Sequence, residues 1–293
     1  MEDILFLEKL SKTNTIFLTI PQEHCLVPAG FYIPNAMLMK KLFILAILSQ
    51  GFCLFSQNIL FVNHNVQGGL QTGNSWSDDC TFLKNSVFVG NGGALFVTNS
   101  EYTSIIRNCL FEKDSSKFSW GGGLYYDDIG ESQLIIEACN FKENYATEAA
   151  SICTEKKVLS TPFFIEIIAC NFENNKATIG FGGAIWLIDG GNKTIRFFNC
   201  NFLNNRSGSS ATAIMVNGTV LTTTLDQCAF IGNVGITPNP NGTKYAVRQG
   251  GAKVETKITN CLFAGNESAL GLFSPQNAEA TYHITNCTFF LEW

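Results

Sequence analysis

The sequence predicts an all-β fold of stacked, repeated turns, and three observations carry that prediction. A short Cys-x-Phe phrase recurs at a steady interval, an Asn follows most of its Phe residues three places on, and no sustained 3.6-residue apolar period runs through the repeats. Composition agrees. The 293 residues include 26 Gly, 25 Phe and 11 Cys but only 3 His and 7 Pro. Apolar residues reach 46% and charged residues only 15%, against roughly a quarter charged in an ordinary soluble domain. Such a chain has ample surface to bury, which excludes a disordered protein. With 24 acidic and 19 basic side chains the net charge is −5, and no Lys/Arg cluster offers phosphates a footprint, which excludes a nucleic-acid binder.

The phrase reads Cys80-Thr81-Phe82, Cys109-Leu110-Phe111, Cys139-Asn140-Phe141, Cys170-Asn171-Phe172, Cys200-Asn201-Phe202, Cys228-Ala229-Phe230, Cys261-Leu262-Phe263 and Cys287-Thr288-Phe289. Successive Cys residues lie 29, 30, 31, 30, 28, 33 and 26 apart. The Asn positions are Asn85, Asn144, Asn175, Asn205, Asn233 and Asn266, with Asp114 as the variant. A bulky apolar residue stands three before most Cys: Ile106, Ile136, Ile167, Phe197, Leu225, Ile258 and Ile284. A third element follows the Asn. It reads Gly92-Gly93-Ala94-Leu95 and Gly182-Gly183-Ala184-Ile185, and weakens to Gly122-Gly123-Leu124-Tyr125, Ala149-Ala150-Ser151-Ile152 and Ala211-Thr212-Ala213-Ile214.

Cys and Phe two apart share one face of a strand, whereas an Ile three before the Cys breaks that parity, so the chain bends between them. Short β-branched and aromatic runs separated by Gly and Asn favour strands. Three short strands per repeat of ~30 residues describe one coil of a right-handed parallel β-helix, and about eight coils at ~4.8 Å give a rod of roughly 35–40 Å. Inward Ile, Cys and Phe then form ladders that fill a narrow interior. An Asn at a fixed bend can bond its neighbours above and below and tolerates left-handed backbone. The Gly pair permits a turn where a side chain would clash.

Upstream, Leu42–Phe55 is the only long apolar run, preceded by Lys40 and Lys41. A cationic start, 14 apolar-rich residues and a small residue at the end describe a signal peptide over 37–56, shorter than the ~20 residues a spanning helix needs. Residues 1–36 read as a non-native upstream extension, with Met37 or Met39 the true start, and 57–293 as the β-helix. The competing readings are an uncleaved anchor helix and a lipoprotein at Cys53; Gln50-Gly51-Phe52 is a poor lipobox.

Phe-x-x-Asn paired with Gly-Gly-Ala-Ile resembles the repeats of the polymorphic outer membrane proteins of chlamydiae and of similar secreted bacterial β-helix proteins. Phe82/Asn85, Phe88/Asn91, Phe141/Asn144, Phe172/Asn175, Phe202/Asn205, Phe230/Asn233 and Phe263/Asn266 carry the likeness, over about Asn58 to Trp293. Ile59–Asn63 and Thr72–Asp78 look like the first coil of such proteins. The resemblance implies export, display at the outer membrane surface or outside the cell, and adhesion, without a catalytic centre. Two features depart from it: two repeat phrases stand six residues apart near the start, and the chain stops inside a phrase with Glu292 at the Asn position. No outer-membrane barrel, sorting domain or polar cap is recognisable, which points to a truncated or frame-damaged product.

The remaining candidates are weak. Eight Cys share one phase and Cys153 is off-phase; a buried reduced stack is preferred over disulfides because laddered side chains run parallel, against the torsion a disulfide needs. No Cys-x-x-Cys exists and His64 and His283 fall in apparent strands, so no metal site is expected. A polysaccharide lyase or hydrolase is the one plausible enzyme class, and its carboxylates would be Asp127, Asp128, Glu131 and Glu137 with Asp189 two coils on. Asp127 and Asp128 point to opposite faces, and no Arg or Lys stands in phase beside them. Sequons at Asn192, Asn205, Asn217, Asn241, Asn266 and Asn286 are by-products of Asn richness. The sequence therefore predicts no catalytic, metal or cofactor residues and no cofactor. It predicts an adhesin-like partner of surface glycan or protein, with no nucleic acid and no membrane span in the mature chain. The alternatives are a carbohydrate-active enzyme and a nonfunctional fragment of a larger exported protein.

Overall fold

The computed structural model describes residues 60–63, 75–88, 90–100, 103–128, 133–156, 161–188, 191–236, 244–273 and 279–290. The expected extension 1–36 and signal peptide 37–56 lie outside them, as do His64, Glu131, Asp189 and Asn241. The described chain is a parallel β-solenoid. Three sheets hold eight strands each and a fourth holds six, and every strand pairs with its equivalent one turn away. In the third turn the strands are Leu124–Asp128, Gln133–Glu137, Asn140–Lys142 and Tyr145–Glu148, contributing to the first, second, third and fourth sheets in that order. The eight expected coils thus appear as six turns of four strands and two of three. Three strands per repeat was one too few, because four of the six strands after the Asn, such as Lys176–Ala177, are two residues long and too short to show a period.

The interior follows from in-register stacking. Ile106, Ile136, Ile167, Phe197, Leu225, Ile258 and Ile284 are partners along the second sheet. The phrase Phe residues form one column from Phe82 to Phe289, with ring centroids 4.6–5.0 Å apart and planes within 11°. Between the ends these columns are closed to solvent, and Cys109 to Cys261 are buried with them. None of the nine Cys among the described residues is in a disulfide. In the third to fifth turns each Sγ donates to the carbonyl two residues before it and to one in the previous turn; Cys170 reaches Ile168 and Ile136 at 3.2 and 3.5 Å. Burial first, and then the neighbouring thiols, raise the Cys170 thiol well above its ordinary value, which keeps that thiol uncharged.

The parity break before each Cys is a left-handed residue. Asp79, Asn108, Ala138, Ala169, Asn199, Gln227, Asn260 and Asn286 all have φ between +51 and +56°. A second left-handed corner precedes the ladder Asn, at Lys84, Lys113, Glu143, Asn174, Asn204, Gly232 and Gly265. The expectation that the ladder Asn itself adopts this backbone is corrected: its predecessor turns the chain, and the Asn points inward. Each such corner costs about 1–2 kcal/mol for a residue with a Cβ. Cross-turn bonds through the corners, such as Asn108 N to Glu137 O at 3.0 Å and Lys113 N to Lys142 O at 2.9 Å, offset this.

The inward Asn form a chain of hydrogen bonds. The backbone N and Nδ2 of Asn144 both donate to Asn175 Oδ1, at 3.0 and 3.1 Å, and Nδ2 also donates back to Phe111 O at 3.0 Å. Asn175, Asn205 and Asn233 repeat the arrangement. Buried polar groups are tolerated because each finds a partner. Phe88 and Asn91 do not belong to this ladder. Phe88 points to solvent, and Asn91 Oδ1 accepts from Ser119 and from Trp120 N outside the core. That second Phe-x-x-Asn match is a coincidence of the corner.

The Gly pairs are required by close backbone approach. Gly92 and Gly182 have φ of +70 and +68°, and a Cβ on Gly183 would sit 1.9 Å from Thr212 O. One alignment shifts by a residue. Leu95 pairs with Leu124, so the pair in the third turn is Gly121-Gly122, with Gly123 standing for Ala94.

Candidate binding surfaces

The outward positions of the first sheet alternate with its buried Leu and Ile. Register stacks Phe96, Tyr125, Cys153, Trp186, Met215 and Arg248 in one outer column. Trp120, at the end of a fourth-sheet strand, folds over it. Phe96 and Tyr125 stack at 5.1 Å, Trp120 meets Trp186 edge-on at 5.8 Å, and Phe181 meets Trp186 at 5.6 Å. Tyr125 and Cys153 are buried beneath while Phe96, Trp120 and Trp186 remain half-buried. The cluster is a small second core outside the solenoid, with ring edges open to solvent.

Carboxylates border it. The Tyr125 hydroxyl donates to Glu155, and burial together with that bond holds the phenol far above its usual range. Asp127 is the register partner of Glu155 one turn away but is only 3% exposed. Burial also raises the Glu148 carboxyl, whose side chain lies where a Cβ on Gly180 would stand. Of the carboxylates named for the enzymatic alternative, Asp127 and Glu137 are not brought together. Glu137 lies on the outer face of the second sheet, 3.8 Å from Arg107, far from Asp127 on the first. Glu155, the acid in phase with Asp127, was missed, although alternation from Ile152 places it outward. The expectation that no basic residue stands in phase is corrected too, because Lys156 is the backbone partner of Asp128.

Two further surfaces were not foreseen. On the third sheet Asn201 donates to Asn171 at 2.8 Å and Asn171 to Asn140 at 2.9 Å. Asn140 and Asn171 of this outer amide ladder line a depression of about 340 Å³ with Leu110, Glu112, Lys142 and Glu173. On the fourth sheet and just past its strands, Phe88, Phe118 and Ile179 stand 57, 66 and 70% exposed, with Phe88 and Phe118 in edge contact at 4.9 Å. Phe118 projects there because the pairing of its strand shifts between Ala146 and Glu148.

Of the remaining candidates, His283 is exposed on the second sheet beside Lys257. Asn205 and Asn266 are buried in the ladder, whereas Asn192 and Asn286 are exposed and Asn217 is half-buried. Lys193, a buried cation that the sequence reading did not single out, donates to the carbonyls of Asn217 at 2.8 Å and of Ile188. Among the described residues no three His, Cys, Asp or Glu side chains gather as metal ligands, and no helix is long and apolar enough to cross a membrane.

A solenoid of parallel sheets whose strands each pair with the equivalent strand one turn away defines the class as a β-helix repeat protein. Residues 46–234 match the right-handed β-helix region family, and the chain belongs to that family. Neither the curated proteins nor the solved structures give a match. The family is shared by adhesins and carbohydrate-active enzymes.

Proposed function

We propose that the chain is an exported, surface-displayed and non-catalytic β-helix with an adhesin-like role, of the type of the chlamydial polymorphic outer membrane proteins. Its partner is a surface glycan or protein. The carrying observation is the exposed pair Phe88 and Phe118, in edge contact on adjacent turns. Contiguous exposed apolar side chains mark interaction sites more often than solitary ones. The half-buried rings of Trp120 and Trp186 lie on the same side of the chain path, at the end of the same fourth-sheet segment and in the next first-sheet strands. The test is binding of the chain to a printed array of surface glycans and matrix proteins, beside Phe118→Ser. The reading expects a ligand for the chain and at least a tenfold loss in the variant with an unchanged melt. An array without binding, or equal binding by the variant, overturns it.

One observation favours the enzymatic reading: Asp127 and Glu155 stand in register next to Trp120 and Trp186, where a sugar could stack. Against it, the Tyr125 hydroxyl already occupies Glu155, and Asp127 is closed to a polymer. Release of unsaturated or reducing ends from polygalacturonate, abolished by Glu155→Gln, would establish the enzyme instead.

A further inference from the structure

Among the described residues the Asn ladder has one titratable member. Asp114 occupies the ladder position of the second turn, fully buried, where the third to sixth turns place Asn144, Asn175, Asn205 and Asn233. Its Oδ1 behaves as an Asn Oδ1 does, accepting from Asn85 N and Asn85 Nδ2, both at 2.8 Å. Its backbone N donates to Asn144 Oδ1 at 2.9 Å. The difference lies at Oδ2, which stands where the other members carry the Nδ2 donor. In Asn175 that nitrogen donates to Phe141 O of the previous turn at 2.9 Å and to Asn205 Oδ1 of the next at 2.9 Å. By register the corresponding groups around Asp114 are Phe82 O and Asn144 Oδ1, and both are acceptors. Asn144 cannot turn its amide to help, since its Nδ2 is engaged by Phe111 O and Asn175 Oδ1. Asp114 Oδ2 is correspondingly buried without a hydrogen bond.

We propose that Asp114 is held as a neutral carboxylic acid whose O–H supplies the missing ladder donor, so that a proton clips the first turn, Leu60–Val87, onto the rest of the solenoid. Ionisation sets a carboxylate oxygen against carbonyl-type oxygens in a site closed to bulk solvent, and the first turn is the side that can yield. Phe82 and Cys80 there are only half-buried, whereas their equivalents in the next turns are fully enclosed. Charged groups near the site do not rescue the anion. Glu112, two residues before, repels it; Lys113 lies at the surface with Glu112 and Glu143, at 3.2 and 3.5 Å; the facing ladder residues Asn85 and Asn144 are neutral. Burial first pushes the carboxyl up to about 7, against the opposing bonds from Asn85.

The sign follows from linkage. A carboxyl with a folded pKa raised from an ordinary value near 4 contributes stability that is complete below pH 4 and is lost as pH rises through 7. The experiment is native-state hydrogen exchange of the Asn85 and Ser115 amides, corrected for intrinsic rate, on the chain and on Asp114→Asn from pH 4 to 8. The opening constant of the chain is expected to rise about tenfold per pH unit to pH 7 and then level off. Asp114→Asn should remove that rise while other titrations persist in both. A carbon-13 titration of the Asp114 carboxyl gives a second readout that needs no variant. A midpoint near 4, or identical exchange profiles for the two proteins, overturns the proposal.

Discussion

The corner that brackets the Cys-x-Phe strand and the corner beyond the fourth sheet are made of similar residues and behave in opposite ways. At the first, Phe172 lies between Phe141 and Phe202 with rings 5.0 and 4.7 Å away, and the adjoining Asn175 is bonded to turns on both sides. At the second, Phe118 has one ring neighbour and faces solvent, and the strand register shifts beside it. Stacking explains the contrast. Where a residue meets a copy of itself above and below, any change is felt by both neighbours, so the position is fixed by the fold. Where the repeat slips, side chains are released from that demand and can serve a partner.

The largest break in this comparison should come from Asn175→Leu. It removes the acceptor of Asn144 and the donor to Phe141 O, leaving several buried groups unpaired at about 1–3 kcal/mol each. Denaturant unfolding should show a loss on the order of 5 kcal/mol or a failure to fold. Gly183→Ala comes next: its new Cβ meets the Thr212 carbonyl, so backbone must move, at about 1–3 kcal/mol in the same measurement. The outer ladder sharpens the contrast from the other side. Asn171→Ala removes amide bonds of the same length as the inner ones, but at an exposed site, and should shift unfolding by about 0.5 kcal/mol or less. Thiol labelling followed by peptide mapping reports the same gradient without any substitution. Cys80 and Cys287, half-buried at the two ends, should react at least tenfold faster than Cys170, which is buried and held uncharged.

The ladder was legible in the sequence because its residues recur in one phase. A period of about 30 with Cys, Phe and Asn at fixed offsets names the inward positions directly, and the Gly-Gly phrase names the tight turn. The fourth strand was not legible because in four of its six copies it is two residues long, which cannot show alternation. The outer aromatic column escaped for a different reason. Phe96, Tyr125, Cys153, Trp186 and Met215 differ in type from turn to turn, so no repeat search finds them, although each follows a buried Leu or Ile and must point outward. The Asp127–Glu155 pairing needs the register as well, since the two are 28 residues apart in a repeat whose length varies. Asp114 was visible as a variant of the ladder Asn, but the cost of its acid became visible only with the acceptors around Oδ2.

The central claim is that the repeat builds the rod and leaves the irregular corner free for binding. It is tested most directly by making one substitution in both places and measuring unfolding of Phe172→Ser and Phe118→Ser side by side. The account predicts a loss of about 3–5 kcal/mol or more for Phe172→Ser and of about 0.5 kcal/mol or less for Phe118→Ser. Comparable losses at the two positions would contradict it.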